Sequence, residues 1–251
     1  MTNISTYEGR NRLLRSLSAQ DFALLAPHLE LINLPMKAVI EEPGKDVDFV
    51  VFLESGIGSS IVIGLNGEMA EARHIGREGM TGRSVVLGSD IAITRIVMQV
   101  PGKGWIISPN HLAAAMRDSK TLHDLMNNYV LAGDSQAAHT LLAATSFSVG
   151  QRLARWLLMY DDRIDGDDLP VTHELLAMML SVRRPGVTDA MHILEGDRAI
   201  RSTRGHAIVL SRRLLMEAAG ACYGLPEQEY ERLIPALAIS AAALPEEAIA
   251  S

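Results

Sequence analysis

The sequence predicts an α+β protein with an N-terminal β jelly roll, a long helix and a C-terminal winged helix-turn-helix. Eleven of the twenty glycines fall between Gly44 and Gly104, where short apolar runs alternate with turns, as in a β barrel or jelly roll. After Pro109 the apolar residues adopt helical spacing. We therefore expect the β domain over 11–109, the long helix over 110–145, the winged helix-turn-helix over 146–224 and a C-terminal tail over 225–251.

Composition limits the class of protein. The 251 residues suffice for two domains, and 48% are hydrophobic, so a folded chain is expected. There is no apolar run long enough to cross a membrane and no N-terminal secretion signal. A single cysteine, Cys222, excludes an internal disulfide framework and an all-cysteine iron–sulfur centre, which favours a cytoplasmic protein.

Charge is distributed unevenly along an acidic chain. The net charge is -7, yet residues 170–215 contain seven arginines against four acidic residues. Contact with DNA phosphates needs a basic face and not a basic protein. A solvated charged surface would explain the same surplus.

The first part of the β domain contains helical spacing and is followed by short strands. Leu13, Leu14 and Leu17 precede a second stretch that Ser18 can cap. Four apolar runs then indicate strands, which are Phe49–Leu53, Ser60–Ile63, Ile91–Val97 and Trp105–Ile107.

The long helix is predicted to begin at Asn110, as its cap, and to continue to about Ala144. Its apolar stripe consists of Leu122, Leu125, Met126, Tyr129, Val130, Ala137 and Leu141. The stripe could pack on the β domain of the same chain or form a coiled-coil-like homodimer contact. Spacing alone does not decide between these two interpretations, and Gly133 within the helix weakens both.

A helix-turn-helix pattern follows. Ser148 and Gln151 form a capping box that opens one helix, and an acidic loop over Asp161–Pro170 ends it. Thr172 can cap a short helix, and a tight link leads to a second helix with Pro185 in its first turn. Val187, Met191 and Leu194 give the second helix a buried side, as in the helix-turn-helix.

The polar residues of this segment suit DNA. Arg183 and Arg184 open the second helix, where an arginine can donate two hydrogen bonds to guanine in the major groove. Thr172, Ser181 and Thr188 are candidates for phosphate contacts. Ala199–Arg201 and Ala207–Leu210 are predicted strands, and the turn between them, Ser202 to His206, includes Arg204. This hairpin is a basic wing that would lie along the phosphates.

The order of these parts resembles the Crp/Fnr family of bacterial transcription regulators, over roughly Leu13 to Gly224. The resemblance rests on Pro43-Gly44 with Asp48–Phe52 ahead of Gly56, on Ile75–Gly82, and on Leu180–Thr188. It implies a cyclic-nucleotide-binding-like β domain, a homodimer joined by the long helix, double-stranded DNA as partner and RNA polymerase as a further partner. It also implies a base-reading role for Arg184 and a phosphate contact for Thr172.

The sequence departs from this family at the ligand pocket. Cyclic-nucleotide binders use a Gly-Glu-x-Gly turn and a later arginine followed by serine or threonine. Here the turn aligns as Gly82-Arg83-Ser84, and Arg95 is followed by Ile96. An arginine cannot accept a hydrogen bond from a ribose hydroxyl, which argues against cyclic AMP. Arg83 and Arg95 could serve another anionic effector, or be ion-paired near Glu78 and Asp90 without any ligand.

Other classes of function have weaker support. The eight histidines lack metal-ligand spacing, so no metal, cofactor or catalytic residue is predicted. A jelly-roll metal enzyme would need a convergent set among Glu54, Glu68, Glu71, His74 and Glu78, and their spacing shows none. The remaining alternatives are a ligand-independent DNA-binding regulator, and a nucleotide-binding module whose basic tail contacts a protein or membrane.

Overall fold

The computed structural model describes residues 7–234 and confirms the α+β fold. The N-terminal β domain comprises, in chain order, α1 (Arg12–Arg15), α2 (Ala19–Leu25), β1 (Glu30–Leu34), β2 (Val39–Glu41), β3 (Val50–Leu53), β4 (Ile57–Ile63), β5 (Met69–Ile75), α3 (Arg83–Val86), β6 (Arg95–Val100) and β7 (Gly102–Ile107).

Two antiparallel sheets form this domain. One has the order β1-β7-β3 and the other β2-β6-β4-β5. Their inner faces enclose an apolar core that includes Val51, Leu53 and Met98. The strand predicted over Ile91–Val97 is confirmed only from Arg95, where β6 begins, since Ile91 makes only an isolated bridge with Asp46.

The segment predicted as one long helix is two helices, α4 (Pro109–Asp118) and α5 (Lys120–Ser146). Asn110 is not the cap, because Ser108 accepts a hydrogen bond from the backbone of His111 and Pro109 occupies the first turn. Ser119 is extended, with φ −132° and ψ 117°, and its side chain caps α5 by accepting from Leu122. The side chain of Ser119 also bonds Asp21 of α2 at 2.5 Å, which fixes this break against the β domain.

The two ends of α5 have different surroundings. Leu122, Met126, Tyr129 and Val130 are buried in the core of the β domain of their own chain. Further along, Leu131, Leu141 and Leu142 are 50%, 68% and 46% exposed. The predicted stripe therefore packs within the chain at its start and is uncovered at its end.

The C-terminal domain begins with the predicted capping box at Ser148 and Gln151. Its elements are α6 (Val149–Asp161), β8 (Asp168–Pro170), α7 (His173–Met179), α8 (Arg184–Gly196), β9 (Ile200–Thr203), β10 (His206–Val209), α9 (Arg212–Ala219) and α10 (Leu225–Leu233). Strands β8, β10 and β9 form a small antiparallel sheet in that order. The segment predicted as a loop up to Pro170 thus contributes a third strand to the wing.

The two domains are packed together. Ile57 and Ile61 of β4 share a core with the helices of the C-terminal domain. Helix α10 returns to the β domain, where Leu233 is buried and Tyr230 donates a hydrogen bond of 2.5 Å to the carbonyl of Glu78. Of the predicted tail over 225–251, the part from residue 235 onward lies outside the described residues.

Candidate nucleic-acid interface

The turn between α7 and α8 sets the direction of the second helix. Ser181 adopts a positive φ of 50°, and the backbone of Val182 donates to the carbonyl of Ala177, which closes the turn. Val187, Met191 and Leu194 are 0%, 1% and 2% exposed and fix the inner side of α8. The N-terminal end of α8 therefore points into solvent, as the reading end of a recognition helix must.

Arg183 and Arg184 lie at that end, and both are exposed. Arg183 is the N-cap residue, with extended backbone, and Arg184 is the first helical residue. Nη2 of Arg184 lies 3.1 Å from Oε1 of Glu174 on α7, and both side chains are 64% exposed. Such an exposed ion pair contributes little free energy, so DNA can compete for the guanidinium.

The three candidate phosphate ligands differ in their present contacts. Oγ1 of Thr172 accepts from the backbone of Leu175 at 3.1 Å, which leaves its own hydrogen for a phosphate. Thr188 donates to the carbonyl of Arg184 at 3.2 Å. Ser181 instead donates to the carbonyl of Met69 on β5, at 3.4 Å, so its hydroxyl is turned toward the β domain.

The wing is tighter than the sequence predicted. Strands β9 and β10 extend to Thr203 and His206, which pair across the ladder, so the turn contains only Arg204 and Gly205. Gly205 has a φ of +83°, a conformation that glycine adopts without steric cost. Arg204 is exposed at the tip, whereas Nδ1 of His206 lies 2.8 Å from Oδ1 of Asp168 on β8.

The residues predicted as an effector pocket separate into two places. Gly82, Arg83 and Ser84 lie at α3, where Nη2 of Arg83 is 2.5 Å from Asp134 of α5. Arg95 points to the outer side of β6, where its Nη2 lies 2.5 Å from Glu42. The expected neighbours Glu78 and Asp90 are therefore not the partners of either arginine.

Two buried charged residues at α3 were missed by the sequence analysis. Glu41 of β2 accepts a hydrogen bond of 2.6 Å from the backbone of Gly82, and burial raises the pKa of its carboxyl group. Arg73 of β5 is 5% exposed, and its Nη1 has no hydrogen-bond partner among the described residues. A Cβ atom on Gly133 would lie 1.7 Å from that Nη1, so the glycine in α5 leaves space for the guanidinium.

The buried side chains around Arg73 leave further polar atoms unsatisfied. Oγ of Ser84 and Nε of Arg83 are also buried without a partner in the described part of the chain. Burying a guanidinium without acceptors is costly, so these donors need water or an anion. The sequence could not place Arg73 here, because a bulge at Ser60/Ile61 shifts which residues of β5 face inward.

Within residues 7–234, no group of three histidine, cysteine, aspartate or glutamate side chains is placed to hold a metal ion. No helix formed by those residues is long and apolar enough to span a bilayer.

Comparison with known proteins agrees with this geometry. Residues 151–218 match the Crp-like helix-turn-helix domain. A transcriptional regulator of the Crp/Fnr family from Eubacterium rectale superposes with a TM-score of 0.65 at 18% identity, over 82% of this chain and 97% of that one. FixK2 from Bradyrhizobium japonicum gives 0.67 at 12% identity, over 77% and 98%.

A third structure has the same fold. The c-di-GMP responsive regulator CLP from Xanthomonas campestris gives a TM-score of 0.63 at 14% identity, over 77% of this chain and 100% of that one. No protein of curated function matches the sequence significantly.

The helix-turn-helix domain and the arrangement of the parts define a DNA-binding transcription regulator. Residues 151–218 belong to the Crp-like helix-turn-helix family, and the chain has the fold of the Crp/Fnr regulators on which it superposes.

Proposed function

We propose that the protein recognises an inverted-repeat operator as a homodimer, with Arg184 as the chief base-reading residue. The observation that supports this role is the exposed pair Arg183 and Arg184 at the N-terminal end of α8. Thr172 and Thr188 flank this end and Arg204 extends from the wing, so these side chains are the proposed phosphate ligands. Ser181 and His206 complete the proposed interface once their contacts to Met69 and Asp168 are released.

The homodimer is proposed from the uncovered end of α5. Leu131, Ala138 and Leu142 are exposed and separated by seven and four residues, so they share one side of the helix. A stripe of this kind on an otherwise packed helix favours a second helix as partner. Two recognition helices related by a two-fold axis would then enter successive major grooves.

The test of this function is fluorescence anisotropy with inverted-repeat DNA. Arg184→Ala should cost about 1–3 kcal/mol of binding free energy and relax the preference at one base pair of each half-site. Arg204→Ala should weaken all sequences equally and lower the salt dependence by about one phosphate contact. If Arg184→Ala bound the operator like the parent protein, Arg184 would not be the base reader.

We infer further that the β domain either takes an anionic effector at Gly82, Arg83 and Ser84 or has no ligand at all. The unsatisfied donors of Arg73, Arg83 and Ser84 favour an anion. The pairing of Arg83 with Asp134 and of Arg95 with Glu42 favours a ligand-independent regulator. Cyclic AMP should not alter the anisotropy titration, since Arg83 replaces the acid that would bind the ribose.

The remaining parts of the proposal follow from the class of protein. It includes neither a catalytic residue nor a cofactor. It places the protein in the cytoplasm, with RNA polymerase as the further partner through which operator binding would change transcription.

A further inference from the structure

A second cavity lies outside the β domain, between its four-stranded sheet and the helix-turn-helix. Its volume is about 730 Å³, against about 390 Å³ for the cleft beside α10.

 
Pockets that bind small molecules commonly measure about 300–1,000 Å³, so the larger cavity has the size of a ligand site.

The walls of this cavity are mostly apolar and come from both domains. Val39 and Val97 belong to the sheet, and Leu175 and Met178 belong to α7. Val39 and Met178 are 54% and 39% exposed, so apolar surface remains uncovered on both sides. Methionine also lines the sheet side, at Met36 and Met69, and its flexible thioether adapts to apolar ligands of varied shape.

The charged groups of the lining leave one cation available. Arg95 is paired with Glu42, His206 with Asp168, and Glu174 with Arg184. Lys37 also lines the cavity, and no carboxylate of the described residues lies within ion-pair distance of its ammonium group. An apolar cavity with a single unpaired cation is complementary to an apolar molecule with one anionic end.

The backbone fixes the position of Lys37 at the edge of the cavity. Lys37 has a φ of +65°, a left-handed conformation that a side chain makes unfavourable and that glycine would adopt freely. Its N–H donates to the carbonyl of Met98 at 2.8 Å, which holds the turn beside β6.

We propose that this cavity binds an amphipathic carboxylate, of the fatty-acid class, with its chain between the sheet and α7 and its carboxylate at Lys37. The site is separate from the one at α3, because it lies on the outer side of β6. Thr172 and His206 line the same cavity and belong to the proposed DNA interface. A ligand that contacts both domains stabilises their present arrangement and thereby weakens DNA binding.

The binding test uses the full chain and needs no DNA. Dodecanoate, below its micelle concentration, is titrated by calorimetry, with dodecan-1-ol as the uncharged probe. We expect saturable binding of one dodecanoate per chain. Lys37→Met should weaken it by about threefold or more, whereas Lys103→Met, an exposed lysine on β7, should leave it unchanged.

Two further variants fill the cavity from opposite walls. Val39→Trp and Met178→Trp should each weaken dodecanoate binding about tenfold or more, and neither residue is deeply buried. Dodecan-1-ol should bind more weakly than dodecanoate and should not respond to Lys37→Met. Absence of saturable binding, or binding that none of the three variants changes, would overturn the proposal.

The regulatory consequence is measured separately, and it rests on the proposed DNA binding. Saturating dodecanoate should weaken operator binding by the parent protein about fivefold or more. It should leave operator binding by the Val39→Trp variant unchanged. An equal effect on both proteins would overturn the link between this cavity and DNA. If no DNA were bound in any condition, the proposed function would fail while the calorimetric result would still decide the ligand site.

Discussion

The ion pair between Arg184 and Glu174 allows a prediction in which DNA affinity and stability change in opposite directions. Glu174→Gln removes the carboxylate that lies 3.1 Å from the guanidinium. Because both side chains are 64% exposed, breaking the pair costs about 0.2–1 kcal/mol. DNA no longer has to displace this carboxylate, so we expect the variant to bind the operator about 1.4- to 5-fold more tightly.

Glu174 also occupies the first turn of α7, where a negative charge interacts favourably with the helix dipole. Glu174→Gln should therefore lower the free energy of unfolding by about 0.3–1 kcal/mol. Anisotropy at fixed salt measures the first effect, and urea unfolding measures the second.

The control is an exposed arginine–glutamate pair in the same domain but away from α8. Glu217→Gln breaks the pair between Arg213 and Glu217 on α9 and should leave operator affinity unchanged. Weaker or equal operator binding by Glu174→Gln would refute the reasoning that Glu174 competes with DNA for Arg184.

Three other predictions concern the framework that holds the interface. Trp156→Phe removes the hydrogen bond of 2.5 Å to buried Glu71 and should lower the free energy of unfolding, measured in urea, by about 1–3 kcal/mol. Trp105→Phe is the control, because its partner Glu54 is only partly buried, and it should lower that free energy by less. Arg10 and Arg77 hold the pKa of Asp165 well below its usual range, so the ionised Asp165 stabilises the fold at neutral pH. This stabilisation is lost as the pH falls below the pKa of the unfolded state, about 3.9, so the difference in unfolding free energy between the parent and Asp165→Asn should shrink there. A difference that stayed constant with pH would contradict this prediction. Leu142→Glu should lower the measured mass from dimer to monomer in light scattering, and an unchanged dimer would remove α5 from the proposed interface.

Local sequence patterns determined much of the DNA-binding domain. The capping box at Ser148 and Gln151, the cap at Thr172 and the buried side of α8 all depend on residues within a few positions of one another. Such short-range hydrogen bonds and helical spacing can be read directly from the chain. The same applies to the exposed position of Arg183 and Arg184 at the start of α8.

The errors occurred where distant contacts decide the local structure. Asp21 lies 98 residues before Ser119, and its hydrogen bond to that residue accompanies the break between α4 and α5. Strand β8 exists because Pro170 and Leu169 pair with His206 and Ala207 of β10. Neither partner is visible in the local pattern, because the pairing forms only when the domain folds.

The sequence by itself therefore determined the order of the domains, the helix-turn-helix and its exposed arginine pair, because each is written in neighbouring residues. Only the tertiary structure decided the environment of the charged groups. It placed Arg73 inside the β domain against Gly133, paired Arg83 with Asp134, and directed Arg95 to the opposite side of the sheet. The physical reason is that burial and ion pairing depend on which distant elements meet, and a bulge of one residue is enough to change the side of a strand that a charge occupies.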